Sequence, residues 1–254
     1  MKILAISQAR IGSTRLYGKI LKEINGKSLL EIHIRRILKS KLITKLKIAT
    51  TNESESFKIV DVANKLGVEV HKGSTDNVLE RFYYTALPEK PNFVVRLTSD
   101  CPLIDPIEID NVISFAIKNN LDYCSNCIKP TFPDGIDVEV FKFSALKQAF
   151  KYAKSKLELE HVTPYILNNS TSKGGNLFKS DCLMNLVDFS DYRITVDNIE
   201  DFQIIEQLVN ILGIDKNWEN YINLIIDRPE LKTINNKYSR GVGYEHFNKK
   251  NNNE

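Results

Sequence analysis

The sequence predicts an α/β fold in which a mostly parallel sheet carries helices on both of its faces. Three observations support this prediction. A short apolar run at residues 3–6 is typical of a buried strand. Apolar residues recur at helical spacing over residues 29–39 and again over 54–66, which indicates two helices. Strand-like segments at 46–50 and 68–70 alternate with these helices, so the order is β-α-β-α-β.

The same alternation continues along the chain. Residues 92–98 are nearly all apolar, as in a central strand that is buried on both faces. Asp105 stands directly before a proline and is predicted to be the N-cap of the next helix. Further elements are expected as strands at 136–143 and 193–196, and as helices at 144–154, around 202–212 and at 218–226.

Composition indicates an ordinary globular protein. The chain has 254 residues, of which 42% are hydrophobic and 26% charged, so we expect one large domain over residues 1–226 and a polar tail over 227–254. The net charge of +3 is too small for a typical nucleic-acid-binding protein. Neither a signal peptide nor a run of about 20 apolar residues is visible. We therefore expect a cytoplasmic protein with reduced cysteines and with no nucleic-acid or membrane partner.

The loop after the first strand concentrates groups that bind phosphate. Gly12 would allow a positive φ and a close approach of the main chain to a ligand. Forked and point-like cations are the usual partners of phosphate oxygens, and hydroxyls add further donors. A solvated basic loop is the alternative interpretation. The loop is predicted to be a triphosphate cradle whose side chains are those of Arg10, Arg15, Lys19, Ser13 and Thr14.

Two aspartates occupy similar positions in the pattern. Asp100 ends the buried strand at 92–98, and Asp197 ends the strand expected at 193–196. Carboxylates at strand ends are suited to Mg²⁺, which takes one or two of them together with phosphate oxygens and water. Asp100 could instead cap a turn, and Asp197 could be a helix N-cap. We expect the two side chains to meet at one Mg²⁺ ion.

Two other motifs are rejected. The triplet at residues 26–28 reads Gly-Lys-Ser, but Leu21 stands where a P-loop requires its first glycine. Cys124 and Cys127 have the C-x-x-C spacing, but no second pair at compatible spacing accompanies them, so they are expected to be buried thiols.

The loop sequence Ala9-Arg-x-Gly-Ser-Thr-Arg-Leu-x-Gly-Lys19 resembles the first motif of the sugar cytidylyltransferases. The likeness is greatest to the SpsF-like branch, of the spore-coat polysaccharide type, and smaller to the CMP-Kdo and CMP-acylneuraminate synthetases. Tyr17 stands where the family usually has proline. Together the matches cover residues 1–212, and the further ones, in family order, lie at 73–81, 96–105, 160–165 and 193–197.

The resemblance implies a fold and an activity. The fold would be a three-layer α/β/α, Rossmann-like fold of the nucleotide-diphospho-sugar transferase type, with a mostly parallel mixed sheet. Residues 1–226 would form a single nucleotidyltransferase domain, in which an excursion at about 125–185 binds the acceptor and a second subunit of a homodimer. The activity would be Mg²⁺-dependent transfer of CMP from CTP to a sugar acid, nonulosonic or Kdo-like, or to a related sugar, with release of pyrophosphate, for surface polysaccharide or glycan biosynthesis.

The resemblance and the loop chemistry together give the candidate site residues. The candidate catalytic groups are Arg10, Lys19, Asp100 and Asp197, the last two as Mg²⁺ ligands. Arg81 could also be a solvated helix cation, and whether His161 is a general base stays open. The candidates for contacts with the acceptor sugar are Asp134, Asp137, Glu139, Glu160 and His161. The candidates for contacts with the nucleotide are Ala9, Arg10, Gly12, Ser13, Thr14, Arg15, Lys19, Arg81, Arg96 and Thr98.

Two other functions remain as alternatives. A glycosyltransferase that consumes a nucleotide-sugar would commonly hold its metal with an Asp-x-Asp pair, and here only Asp100 is present, between Ser99 and Cys101. A nucleotide-binding protein without catalysis is disfavoured because both aspartates and all three loop cations are present.

Overall fold

The computed structural model describes residues 1–240. A seven-stranded sheet runs through this part of the chain in the order β5-β4-β1-β6-β8-β7-β9, and β2 pairs with β3 in a separate hairpin. The strands are β1 (Ile3–Gln8), β2 (Glu23–Ile24), β3 (Lys27–Ser28), β4 (Lys45–Thr51), β5 (Glu69–Gly73), β6 (Phe93–Thr98), β7 (Tyr123–Ser125), β8 (Glu139–Lys142) and β9 (Ser180–Cys182).

The sheet is mixed, with its parallel part first in the sequence. β5, β4, β1 and β6 are parallel neighbours, whereas β8 lies antiparallel between β6 and β7. The outermost strand, β9, is parallel to β7. The predicted mostly parallel mixed sheet is therefore confirmed. Because β8 is a central strand, the predicted excursion at about 125–185 is partly built into the main sheet.

Helices follow the strands as the apolar spacing predicts. Ser28 caps the first helix, its hydroxyl accepting from the Glu31 amide at 3.1 Å, and Asp105 caps α4 by accepting from the Ile107 amide at 2.8 Å. The predicted Asp105 cap is thus confirmed. The helices are α1 (Leu29–Ile37), α2 (Phe57–Lys65), α3 (Val78–Ala86), α4 (Pro106–Lys118), α5 (Phe143–Tyr152), α6 (Lys156–His161), α7 (Pro164–Asn168), α8 (Ile199–Leu212), α9 (Trp218–Asp227) and α10 (Pro229–Thr233).

The core forms two layers on the sheet and a third beside it. In β1, Ile3 and Ala5 face the layer of α1, α2 and α4, while Leu4 and Ile6 face α3, α5 and α7. This two-sided burial explains why the central strands are continuously apolar. The other side of α1 packs, through Leu29, against α8 and α9.

The hairpin of β2 and β3 explains the Gly-Lys-Ser triplet. Asn25 and Gly26 both take positive φ, 52° and 72°, which fits the tight turn expected for an Asn-Gly pair. The triplet therefore belongs to a hairpin that leads into α1, and the rejection of a P-loop is confirmed.

The predicted strand at 193–196 is wrong. This segment makes a single bridge, between Arg193 and Asp134, and its main chain bonds alternately to two different loops. The Ile194 amide donates to the Asp134 carbonyl at 2.7 Å. Gly135 permits this approach, because its φ is 112° and a Cβ there would lie 2.7 Å from the Ile194 carbonyl carbon. The segment is therefore an extended connector between loops.

The first part of the segment predicted to be a polar tail contacts the domain. Residues 229–240 contain α10 and pack on the domain, with Leu231 and Asn235 each only 3% exposed. The rest of that prediction, residues 241–254, lies outside the described residues. Across residues 1–240, no helix combines the length and apolar character needed to span a bilayer.

Candidate active site

The central strands place the loop of residues 9–19, which we term the cationic loop, at one edge of the sheet. β1 ends at Gln8, and the parallel pairing sets this residue opposite Ala49 of β4 and Thr98 of β6. The Ala9 amide still donates to the Ala49 carbonyl at 3.1 Å. The cationic loop therefore starts between two neighbouring strands, at the carboxyl edge where open α/β sheets bind ligands.

The ammonium of Lys19 joins the two predicted aspartates. Its Nζ lies 3.2 Å from Asp100 Oδ2 and 2.8 Å from Asp197 Oδ1, and it donates to the Val196 carbonyl at 2.7 Å. Lys19 is only 9% exposed. The two carboxylates, far apart in sequence, thus both contact one lysine ammonium, and their meeting at a Mg²⁺ ion stays a prediction.

The segments that carry these aspartates are also bonded directly to each other. The Asp100 carbonyl accepts from the Val196 amide at 2.8 Å and from Thr195 Oγ1 at 3.0 Å. This link fixes the main chain beside both carboxylates. Asp197 is not the helix N-cap, because Asn198 holds that position in α8.

Burial and the neighbouring charges shift the pKa values of Lys19 and Asp100 in opposite directions. Burial alone would lower the pKa of Lys19, but the Asp100 and Asp197 carboxylates outweigh it, so the pKa is raised and the side chain is a cation. Burial would raise the pKa of Asp100, yet the Lys19 charge and the Thr98 hydroxyl hold it well below its usual value. Both groups are therefore ionised near neutral pH.

The pair of carboxylates fits Mg²⁺. Within residues 1–240 no group of three or more His, Cys, Asp or Glu side chains is arranged to hold a metal. Mg²⁺ needs no such group, because it is usually held by one or two carboxylates together with substrate phosphates and water. Asp100 and Asp197 are two such carboxylates and both contact Lys19, so a Mg²⁺ site at this pair stays a prediction.

The cationic loop is shaped differently from the expectation. Gly12 does not take a positive φ, and Gly18 has this conformation instead, with φ 64°. Ser13 and Gly18 both donate their amides to the Ile11 carbonyl, at 2.8 and 3.1 Å, so the loop folds back on itself. Tyr17, at the family's proline position, hydrogen-bonds through its hydroxyl to Glu55.

The loop arginines have different surroundings. Arg15 donates to Asp197 Oδ1, with Nη2 at 2.7 Å, whereas Arg10 is exposed. Arg81 is 2% exposed and is therefore not the solvated helix cation of the alternative interpretation. Its Nη1 donates to the Ser74 carbonyl at 2.7 Å. Burial, and then the nearby Arg10 charge, lower the pKa of Arg81 to about 10.

Arg81 borders a cavity of about 420 Å³ beside β5. Its Nε has no hydrogen-bond acceptor among the described residues. A buried guanidinium with an unused donor, next to Arg10, is consistent with the predicted contact with the nucleotide, which stays a prediction.

Arg96 of β6 belongs to a polar network that it forms with β8. It pairs with Glu139, its register neighbour in β8. The same carboxylate accepts from the Tyr123 hydroxyl at 2.6 Å and from Thr163 Oγ1 at 2.7 Å. The structure thus brings one predicted nucleotide contact and one predicted acceptor contact together as partners of each other.

The other predicted acceptor residues fall into two places. Asp134 pairs with Arg193, which also contacts Asp197, and Asp137 pairs with Arg240. Burial, and then Asp137, raise the pKa of Asp134 to about 6. Glu160 and His161 end α6, where burial, and then the Arg96 charge, lower the pKa of His161.

Three residues near the aspartates were missed by the sequence analysis as functional groups. Arg193 lies in a quoted motif but received no role. Asp201 stands three residues after the N-cap of α8, a position where an acid is expected, and this was its only signal. Arg240 lies in the segment predicted to be a polar tail, where nothing suggested a contact with Asp134 or Asp137.

The cysteines are free thiols. Cys101 and Cys124 are buried, and Cys127 and Cys182 are partly exposed. Burial raises the pKa of Cys124 to about 12. Of the C-x-x-C pair expected to be buried thiols, Cys124 is buried and Cys127 is partly exposed.

Comparison with known proteins identifies the family. Residues 4–241 match the family model described as cytidylyltransferase. The chain is 30% identical to the spore coat polysaccharide biosynthesis protein SpsF of Bacillus subtilis, over 91% of this chain and 97% of that protein. A shorter match, 35% identical, covers 45% of this chain and 44% of a 3-deoxy-manno-octulosonate cytidylyltransferase of Geotalea daltonii.

A solved structure agrees with these matches. A cytidylyltransferase from Leptospira borgpetersenii superposes with a TM-score of 0.85 at 32% identity, over 91% of this chain and 96% of that one. This likeness extends beyond the cationic loop to the whole sheet and its helices. The chain therefore belongs to the cytidylyltransferase family and is a nucleotidyltransferase.

Proposed function

We propose that this protein is a Mg²⁺-dependent cytidylyltransferase that moves CMP from CTP to a sugar acid, nonulosonic or Kdo-like, or to a related sugar. Pyrophosphate is the second product, and the nucleotide-sugar serves surface polysaccharide or glycan synthesis in the cytoplasm. The observation that carries the proposal is the meeting of Asp100 and Asp197 on Lys19, beside the cationic loop. The names of the Bacillus and Geotalea relatives support the polysaccharide pathway and the sugar-acid acceptor.

In the proposed reaction an acceptor oxygen attacks the α-phosphorus of CTP, and the bond to pyrophosphate breaks. Such phosphoryl chemistry depends mainly on positioning and on neutralisation of charge. Arg15 and Lys19 supply positive charge beside Asp197, and Arg10 is exposed on the same loop. These cations would hold the triphosphate and stabilise the negative charge that grows on the leaving group.

Asp100 and Asp197 would hold the Mg²⁺ ion through their carboxylate oxygens. When bound, the ion supplies Lewis-acid activation of the α-phosphate and a template for the triphosphate. Lys19 donates to both carboxylates and to the Val196 carbonyl, so a bond to a phosphate oxygen would replace one of these three. The nucleotide would extend along the loop towards Arg81, and the acceptor would lie on the side of Asp134 and Asp137.

Asp100→Asn tests the proposal. Wild-type protein, CTP, Mg²⁺ and a panel of keto-sugar acids should release pyrophosphate, measured by a coupled phosphate assay. The variant removes ligand charge but little volume, so we expect at least a ~100-fold loss of turnover with an unchanged fold. Asp215→Asn, at an exposed surface pair with Lys39, is the matched control and should keep full activity.

Two results would contradict this assignment. Full turnover by Asp100→Asn would show that Asp100 is not a metal ligand. Release of a free nucleoside diphosphate from a nucleotide-sugar, without any pyrophosphate from CTP, would favour the glycosyltransferase alternative.

We also infer that the protein is a homodimer. Four large apolar side chains are exposed next to the outer strand β9, namely those of Leu177, Met184, Leu186 and Val187. An exposed apolar surface beside the outermost strand of a sheet is typical of an interface. Light scattering should give twice the chain mass for the wild type, and Leu186→Asp should give the monomer mass. A monomeric wild type would contradict the inference.

A further inference from the structure

One guanidinium next to the candidate site contacts three carboxylates. Arg193 Nη2 lies 3.0 Å from Asp197 Oδ2, and its Nε lies 2.9 Å from Asp201 Oδ1. Its Nη1 donates to Asp134 Oδ2 at 2.5 Å. The side chain is 9% exposed, so these pairs are largely shielded from solvent. Such a cluster is expensive to bury unless its donors and acceptors are matched, as they are here.

Asp201 anchors this guanidinium and the main chain of the site together. It is fully buried, and its Oδ2 accepts from the amides of Asp197 and Asn198, at 3.0 and 2.9 Å. Its Oδ1 also accepts from Asn235 Nδ2 at 2.9 Å. One carboxylate thus fixes the backbone at Asp197, while Arg193, bound to the same carboxylate, reaches the Asp197 side chain.

The two oxygens of Asp197 have separate partners. Oδ2 is bonded to Arg193, whereas Oδ1 faces Lys19 and Arg15 on the side of the cationic loop. We propose that Arg193 is a positioning residue for the transfer reaction: by binding Oδ2, it turns Oδ1 towards Asp100. The proposal rests on the proposed function, because it assumes that Asp197 is a metal ligand.

The forked shape of arginine is needed for this arrangement. Nε and Nη2 together hold Asp201, and Nη2 and Nη1 remain directed at Asp197 and Asp134. A lysine ammonium is a single point charge on a flexible chain, and it cannot keep three carboxylates in these directions at once. Arg193→Lys therefore preserves the charge but releases the orientation of Asp197.

The test measures metal binding as well as turnover. We expect Arg193→Lys to bind Mn²⁺ about tenfold more weakly than the wild type does, since partners that orient metal ligands have effects of this size. Electron paramagnetic resonance of the free Mn²⁺ ion, in the presence of CTP, measures this binding. The Mg²⁺ concentration for half-maximal pyrophosphate release should rise by about the same factor. At saturating Mg²⁺ the turnover number should return to within about threefold of wild type. Arg35→Lys, at an exposed helical pair with Glu31, is the matched control and should change none of these values.

A second variant keeps the proposal testable if Arg193→Lys unfolds. Asp201→Asn retains the shape and loosens the anchor, and it should also weaken Mn²⁺ binding. Wild-type Mn²⁺ affinity in a folded variant, or lost turnover that excess Mg²⁺ does not restore, would overturn the positioning role. Failure of the proposed function is a different result, in which the wild-type protein itself releases no pyrophosphate from CTP.

Discussion

At the scale of single residues, His33 is a buried group that contacts the main chain next to Asp100. Its Nδ1 contacts the Cys101 carbonyl and its Nε2 contacts Ser7 Oγ, each at 2.8 Å. Because a carbonyl only accepts, Nδ1 carries the proton and Nε2 accepts from the serine hydroxyl. The neutral imidazole therefore ties β1 to the turn that follows Asp100. Burial lowers the pKa of His33 to about 4, against 6.5 ordinarily.

This pKa predicts a pH-dependent contribution to stability. Protonation of His33 is easier in the unfolded chain, so its contribution is complete above pH 6.5 and is lost as pH falls towards 4. We expect His33→Gln to lower the free energy of unfolding by about 1–3 kcal/mol at pH 7.5. The difference should shrink by about 2 kcal/mol at pH 5. Urea unfolding at both pH values measures it.

Ser7→Ala is the control for this prediction, because it removes one hydrogen bond and keeps the imidazole. Its effect on stability should be nearly the same at both pH values. A His33→Gln penalty that does not change with pH would show that the imidazole is not held neutral by burial.

At the scale of elements, α4 contains an acidic residue whose burial the sequence pattern does not predict. Glu108 lies in the first turn, where an acid is favoured by the helix dipole, yet it is only 4% exposed. Asn111 Nδ2 donates to its Oε2 at 3.1 Å, and its Oε1 has no hydrogen-bond partner among the described residues. Burial raises the pKa of Glu108 to about 7.

The pKa shift of Glu108 is opposite in direction to that of His33. The folded protein holds the proton more tightly, so the contribution of Glu108 is present below pH 4.5 and is lost as pH rises through 7. We expect Glu108→Gln to stabilise the protein by about 1–3 kcal/mol at pH 8 and to have little effect at pH 4.5. Denaturant unfolding provides the measurement, and Glu230→Gln, at an exposed acid in the first turn of α10, serves as control. Destabilisation at pH 8 would contradict the prediction.

Elements with strong local signals could be predicted from the sequence. The Ser28 and Asp105 caps, the Asn25-Gly26 turn and the two-faced strand β6 each follow from short patterns. The extended segment at 193–196 could not, because whether an extended chain joins a sheet depends on which neighbours it meets.

At the scale of the whole molecule, topology decided which site residues could be predicted. Parallel strands end at one edge, so residues that follow β1 and β6 were expected to lie together, and they do. This rule does not apply to the antiparallel strand β8. Glu139 of β8 was predicted to contact the acceptor sugar, and in the structure it pairs with Arg96. Contacts between distant segments, such as that of Arg240 with Asp137, leave no local pattern to read.

The position of β1 also has a consequence for how the chain is made. β1 is synthesised before either of its neighbours, yet it lies between β4 and β6. During translation it must wait for residue 98 to leave the ribosome before both of its edges are paired. The carboxylate pair forms still later, after residue 197 has emerged, so a nascent chain released before that point cannot assemble the site.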